Sequence, residues 1–213
     1  MALIDISPVF RAGMPGWPGD TPFELSRTWC IGPGCPVNVS KIVLSSHVGA
    51  HADAPLHFDA AGRAIHEMPL ETYIGPCHVV DARGAGALIR AGDVLPQLPA
   101  QVERVLIRQY VRYPEVWDAH LKGLDPALIV ALAQRGCRLI GVDAASVDPA
   151  TSKTLDAHHA IEAAGIAIIE GLMLDGVTPG AYELIAPPLK IEGCDAAPLR
   201  AVLRTMPERE ISP

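Results

Sequence analysis

The chain has 213 residues, 49% apolar and 19% charged, a composition that excludes a disordered protein and suits one large domain with a real core. A net charge of -7 leaves no basic surface to neutralise phosphates, so nucleic acid is not expected as a partner and a small-molecule substrate is. The N-terminal MALIDISPVF lacks the basic start and long apolar stretch of a secretory signal, and no apolar run approaches the roughly 20 residues that span a bilayer. A soluble, cytoplasmic protein with no membrane partner is expected.

Taken in chain order, the first clear element is VNVSKIVLSS, residues 37–46, whose β-branched residues predict a strand running into the His47 region. Further strands are expected at 77–81, 104–108 and 138–142. Between the last two, Pro126 to Gln134 predicts a helix, with Asp125 as N-cap, Pro126 at its first position and Gly136 just past its end. A second helix is expected from about Asp156 to Ala164, stopped by Gly165, followed by strands at 167–169 and 182–186. Strands outnumber helices, and neither a repeat nor a linker interrupts the chain. One α/β domain over residues 1–213 with a large mixed sheet is the expected architecture. Cys30, Cys35, Cys77, Cys137 and Cys194 form an odd set without a C-x-x-C pair, so reduced thiols acting as small apolar side chains are expected, not disulfides or a zinc cluster.

The chemistry is concentrated in SSHVGAHADAPLHF, which places His47, His51, Asp53 and His57 close together. Imidazole and carboxylate are the ligands that zinc and similar divalent metals prefer. A lone histidine in such a stretch would more readily be satisfied by a backbone carbonyl; four donors together point to a metal or catalytic site. Gly49 and Pro55 argue against a helix and for a loop leaving a strand. In an extended stretch His51 and Asp53 share one side, and a turn at Gly49 can bring His47 round to join them. Three ligands with one position open to water would make a catalytic site.

A second cluster lies in SKTLDAHHAIEAAGIAIIEGL, with Asp156, His158, His159, Glu162 and Glu170. Glu170 ends an apolar strand, an unusual place for a carboxylate that serves only solubility. On a helix His158 and His159 face directions about 100° apart, so at most one reaches a given metal.

The stretch HVGAHADAPLHF resembles the H-x-G-x-H-x-D-x-P-x-H motif of the cyclase-like metal-dependent hydrolases. MPGWPGDTPF, LIGVDAASVDP, SKTLDAHH and YELIAPPLK extend the likeness over nearly the whole chain, and specifically to the bacterial kynurenine formamidases of that family. The resemblance implies a swivelling β/β/α fold, a homodimer and two divalent metal ions per subunit, usually zinc. It implies hydrolysis of N-formyl-L-kynurenine to L-kynurenine and formate by a metal-activated hydroxide, in tryptophan breakdown. Carried over by position, His47, His51 and Asp53 would bind the first metal; Asp53, Glu170 and His158 would bind the second. His57 would be the proton carrier, and Trp17 would contact the substrate ring. Ala50 stands where the family commonly has Thr. The competing readings are another hydrolase of the family, such as an isatin hydrolase, and a non-catalytic metal-binding protein of the same fold.

Overall fold

A computed structural model describes residues 1–206. Its strands are β1 (Leu3–Asp5), β2 (Glu24–Trp29), β3 (Val39–Val43), β4 (His51–Asp53), β5 (Ile74–Asp81), β6 (Leu88–Ile89), β7 (Arg104–Arg108), β8 (Gly123–Leu124), β9 (Leu139–Val142), β10 (Ala167–Glu170), β11 (Gly180–Ile185), β12 (Ala196–Pro198) and β13 (Val202–Thr205). The α-helices are α1 (Ala91–Val94), α2 (Pro126–Gln134) and α3 (Asp156–Ala163). Nine strands form one mixed sheet in the order β1-β13-β11-β5-β7-β9-β10-β4-β12. Its centre, β5-β7-β9-β10, is parallel, and both wings are antiparallel.

The central strands read as unbroken apolar runs because both their faces are covered. Side chains alternate between two cores: Leu106, Leu139 and Ile169 pack with Leu172, Leu184 and Leu203, whereas Val105, Ile107, Ile140 and Ile168 pack with Leu128, Ile129, Leu132 and Ile161 of the helices. The expected α2 forms over the predicted residues, and the Asp125 carboxylate accepts the Ala127 N–H at 2.9 Å. The chain turns out of α2 at Gly136, whose φ is +82°.

Three sequence-based expectations need correction. The strand expected at 37–46 ends at Val43 and does not join the large sheet; with β2 it makes a separate two-stranded ribbon, exposed along nearly its whole length. Its β-branched residues signal an extended backbone, not burial. The stretch around His51, expected as a loop, is instead β4, a strand between β10 and β12. The cysteines are all free, but Cys30 is exposed and so is not packing, while Cys77 and Cys137 are buried as expected. Among the described residues no helix is long and apolar enough to cross a membrane.

Candidate active site

Local geometry explains how donors far apart in sequence meet. The antiparallel pairing of β4 with β10 sets Glu170 directly opposite His51 and Ile168 opposite Asp53. His51 and Asp53, two apart on one strand, therefore share a face with Glu170. His47 precedes β4 across a turn at Gly49, where φ is +66°. Gly171, also at φ +66°, packs its backbone against this turn, and a Cβ there would lie 2.7 Å from the Gly49 carbonyl carbon. Two glycines thus let the His47 turn sit on the end of β10. His57 ends a short 3-10 helix, Pro55–His57, and His158 lies in the first turn of α3.

The side chains converge tightly. His47 Nδ1 is 3.1 Å and His51 Nε2 3.4 Å from Asp53 Oδ1, and His51 Nε2 is 3.5 Å from Glu170 Oε2. His158 Nε2 lies 3.5 Å from Asp53 Oδ2 and 3.8 Å from Glu170 Oε1. The far nitrogens are fixed: His51 Nδ1 donates to the Gly49 carbonyl at 2.9 Å, and His158 Nδ1 to Asp148 at 2.6 Å. A neutral imidazole donating from Nδ1 presents a lone pair at Nε2, here aimed at carboxylate oxygens. Lone pairs facing lone pairs repel unless a cation lies between them. His51 Nε2 and both Asp53 carboxylate oxygens are buried and have no hydrogen-bond partner, so this donor set fits a divalent metal ion.

The electrostatics agree. Burial pushes the Asp53 pKa up, but the close imidazoles of His158, His47 and His51 outweigh it and hold the carboxyl well below its usual range. Burial likewise lowers His51 and His158, yet Asp53 and Glu170 on the first, and Asp148, Asp53 and Glu170 on the second, lift each to about 10. A site so rich in anions holds either protons or a metal on those nitrogens.

A cavity of about 290 Å³ opens over these groups. Trp17 lines it and meets Trp117 edge to face, with ring centroids 4.8 Å apart; Tyr110, Tyr113 and Val116 continue the apolar wall. The residues expected from sequence, His47, His51, Asp53, His57, His158, Glu170 and Trp17, are thus assembled at one place. Of the adjacent histidines, His158 is buried among these groups, whereas His159 is exposed beside Glu162.

Comparison with known proteins places this arrangement in context. Residues 4–149 match the Cyclase family model, described as "Putative cyclase". The chain belongs to the Cyclase family. This cyclase-family chain is 54% identical to the kynurenine formamidase of Maricaulis maris (strain MCS10), covering 95% of this chain and 98% of that one. It is 50% identical to the kynurenine formamidase of Delftia acidovorans, covering 96% and 98%. Among solved structures, a potential metal-dependent hydrolase with cyclase activity superposes with a TM-score of 0.83 at 28% identity, over 97% of this chain and 99% of the other. Isatin hydrolase A from Labrenzia aggregata shares the fold, with a TM-score of 0.81 at 22% identity over 96% and 94%.

Several residues of this cyclase-family site carry no signal that sequence reasoning could isolate. Asp148 accepts from the Ala157 and His158 backbone N–H groups and from the His158 ring, capping α3 from outside it. Asp143 accepts the Gln109 and Tyr110 N–H groups and so pins the start of the loop bearing Tyr113 and Trp117. Both aspartates stand in LIGVDAASVDP, noted above only as part of a likeness. Asp195 reaches His47 and His57 from 148 and 138 residues away, a separation that no local pattern announces.

Proposed function

We propose that this chain hydrolyses N-formyl-L-kynurenine to L-kynurenine and formate in tryptophan degradation, using two divalent metal ions, zinc by preference of the ligand types. The buried, unpartnered nitrogen and carboxylate oxygens of His51 and Asp53 carry this reading, together with the two formamidase relatives at about half identity. His47, His51 and Asp53 would hold one ion, and Asp53, His158 and Glu170 the other. When bound, such ions polarise a carbonyl and lower the pKa of water to about 7.

The remaining work falls to the protein. Water must add to the formyl carbon, the C–N bond must break, and the departing aniline nitrogen needs a proton. His57 lines the cavity with its Nδ1 engaged by Asp195 at 3.3 Å, and among the described residues its Nε2 makes no hydrogen bond to the protein. That nitrogen accepts the proton from water and returns it to the aniline nitrogen, a transfer typically contributing about 10²–10⁴-fold. Trp17 and Trp117, in edge-to-face contact with each other, form one aromatic wall against which the substrate's ring would rest. Asp20 and Asp118 line the same cavity and suit the ammonium of an amino-acid substrate; isatin carries no such group. Those two acids favour the formamidase reading over an isatin hydrolase.

The exposed ribbon of β2 and β3 supports a homodimer. An isolated two-stranded hairpin is marginal in water, and this one exposes Leu25, Trp29, Val39 and Ile42, which a second subunit would cover. A cytoplasmic location belongs to the same proposal.

Parallel assays of Asp53→Ala and His57→Ala test the scheme, with metal content measured beside turnover of N-formylkynurenine. Asp53→Ala should lose metal and activity together. His57→Ala should keep its metal and lose at least about 100-fold in kcat. Wild-type protein that turns over the substrate equally well after complete chelation refutes the metal-dependent reading, and a chain that binds zinc without any turnover is a binding protein instead.

A further inference from the structure

We infer that Asp195 is the positioning residue that fixes the tautomer and orientation of His57 and ties it to the His47 ligand; this rests on the reading of His57 as proton carrier. A single carboxylate oxygen, Asp195 Oδ2, lies 2.8 Å from His47 Nε2 and 3.3 Å from His57 Nδ1. The two rings stand 4.1 Å apart, tilted by 41°. The other oxygen accepts the Ser46 hydroxyl at 3.2 Å. With the Cys194 thiol, whose Sγ lies 3.7 Å from that same oxygen, four side chains converge on one carboxylate, and among the described residues neither Lys nor Arg is a partner.

The sheet holds this carboxylate in place. Asp195 immediately precedes β12, which pairs with β4, and its backbone carbonyl accepts the Ala54 N–H at 2.8 Å. The strand that carries His51 and Asp53 thus sets where Asp195 stands. His57, by contrast, is an end-of-turn residue with a side chain one-third exposed, and among the described residues its ring makes no hydrogen bond other than the one to Asp195.

A neutral histidine has one N–H and one lone pair. Because a carboxylate only accepts, His57 bonded through Nδ1 keeps its proton there and presents the lone pair at Nε2, the state a base must start from. The same oxygen accepts from His47 Nε2, which turns the His47 Nδ1 lone pair toward Asp53. One group thereby orients a prospective metal ligand and the proton carrier, as outer hydrogen-bond partners of ligands commonly do. Asparagine at this position would be the same size but would turn either its amide hydrogens or its single oxygen toward two rings that both need an acceptor.

The test uses the full-length chain loaded with zinc: Asp195→Asn, Asp195→Glu, His57→Ala and the double variant Asp195→Asn with His57→Ala. Steady-state kinetics with N-formylkynurenine are paired with zinc retention against a competing chelator. Asp195→Asn should lower kcat at least about tenfold with KM within about twofold, and should yield zinc at about tenfold less chelator. Asp195→Glu, which restores the acceptor on a longer stem, should recover part of kcat despite its poorer fit; a role in packing alone predicts the opposite order. In the His57→Ala background the Asn substitution should leave kcat unchanged yet still loosen zinc. The inference is overturned if Asp195→Asn keeps parent kcat at full zinc, or lowers it as much without His57 as with it. Parent-like kcat in His57→Ala would instead sink the proton-carrier reading itself, so the two failures are distinguishable.

Discussion

Loading the metal-free protein with zinc should release protons, and the amount follows from the site. His51 and His158 each have a pKa near 10 because surrounding carboxylates outweigh the effect of burial, so at neutral pH both carry a proton on the nitrogen a cation requires. Raising the pH strips those protons and favours the metal; lowering it protects them and opposes the metal. With one proton displaced per ion, from His51 for one and from His158 for the other, each pH unit below that pKa weakens the binding of each ion about tenfold, or about 1.4 kcal/mol. From about pH 8 down to about pH 6.5 the affinity for each ion should fall roughly 30-fold. Titration calorimetry in buffers of differing ionisation enthalpy reads the release directly, as the slope of apparent enthalpy against buffer enthalpy. A slope near two protons per fully loaded chain, one for each ion, is expected. A slope below about half a proton, with affinity flat over that range, would refute both the protonation states and the assignment of these imidazoles as ligands.

Gly171→Ala should destabilise the fold by about 2–5 kcal/mol, combining the left-handed backbone penalty with a Cβ pressed onto the Gly49 carbonyl. Urea unfolding measures it, and a loss under about 1 kcal/mol would show that the turn can move away freely. Trp17→Ala should raise KM for formylkynurenine about 3- to 10-fold with kcat nearly unchanged, in line with the worth of one aromatic contact. An unchanged KM would remove Trp17 from the substrate wall.

Sequence made some of this visible because the relevant physics is local. Asp125, Pro126 and Gly136 bracket α2 with capping chemistry that acts within a few residues, and the structure places the helix at those bounds. The short spacing of His47, His51, Asp53 and His57 announces a cluster of donors before any fold is known. Other parts depend on pairings that composition does not encode. His51–Asp53 is too short and too polar to read as a strand, and it becomes one only because β10 and β12 flank it with hydrogen-bonding edges. Asp195 and Asp148 gain meaning from where the sheet and α3 carry them. Residues 37–43 show the converse: strong β-propensity was legible, but the sheet to which it belongs was not.

The pairing of β4 between β10 and β12 also bears on how the molecule comes together. Glu170 meets His51, and Asp195 meets His47, only after segments more than a hundred residues apart have paired in the right register. A slip of one residue would turn every donor on β4 to the opposite face. Closing such long loops is slow and comes before the second ion can gain Glu170 and His158 as ligands. Zinc at that second position should therefore select the nearly finished fold and not seed it, deepening the native minimum and slowing its unfolding.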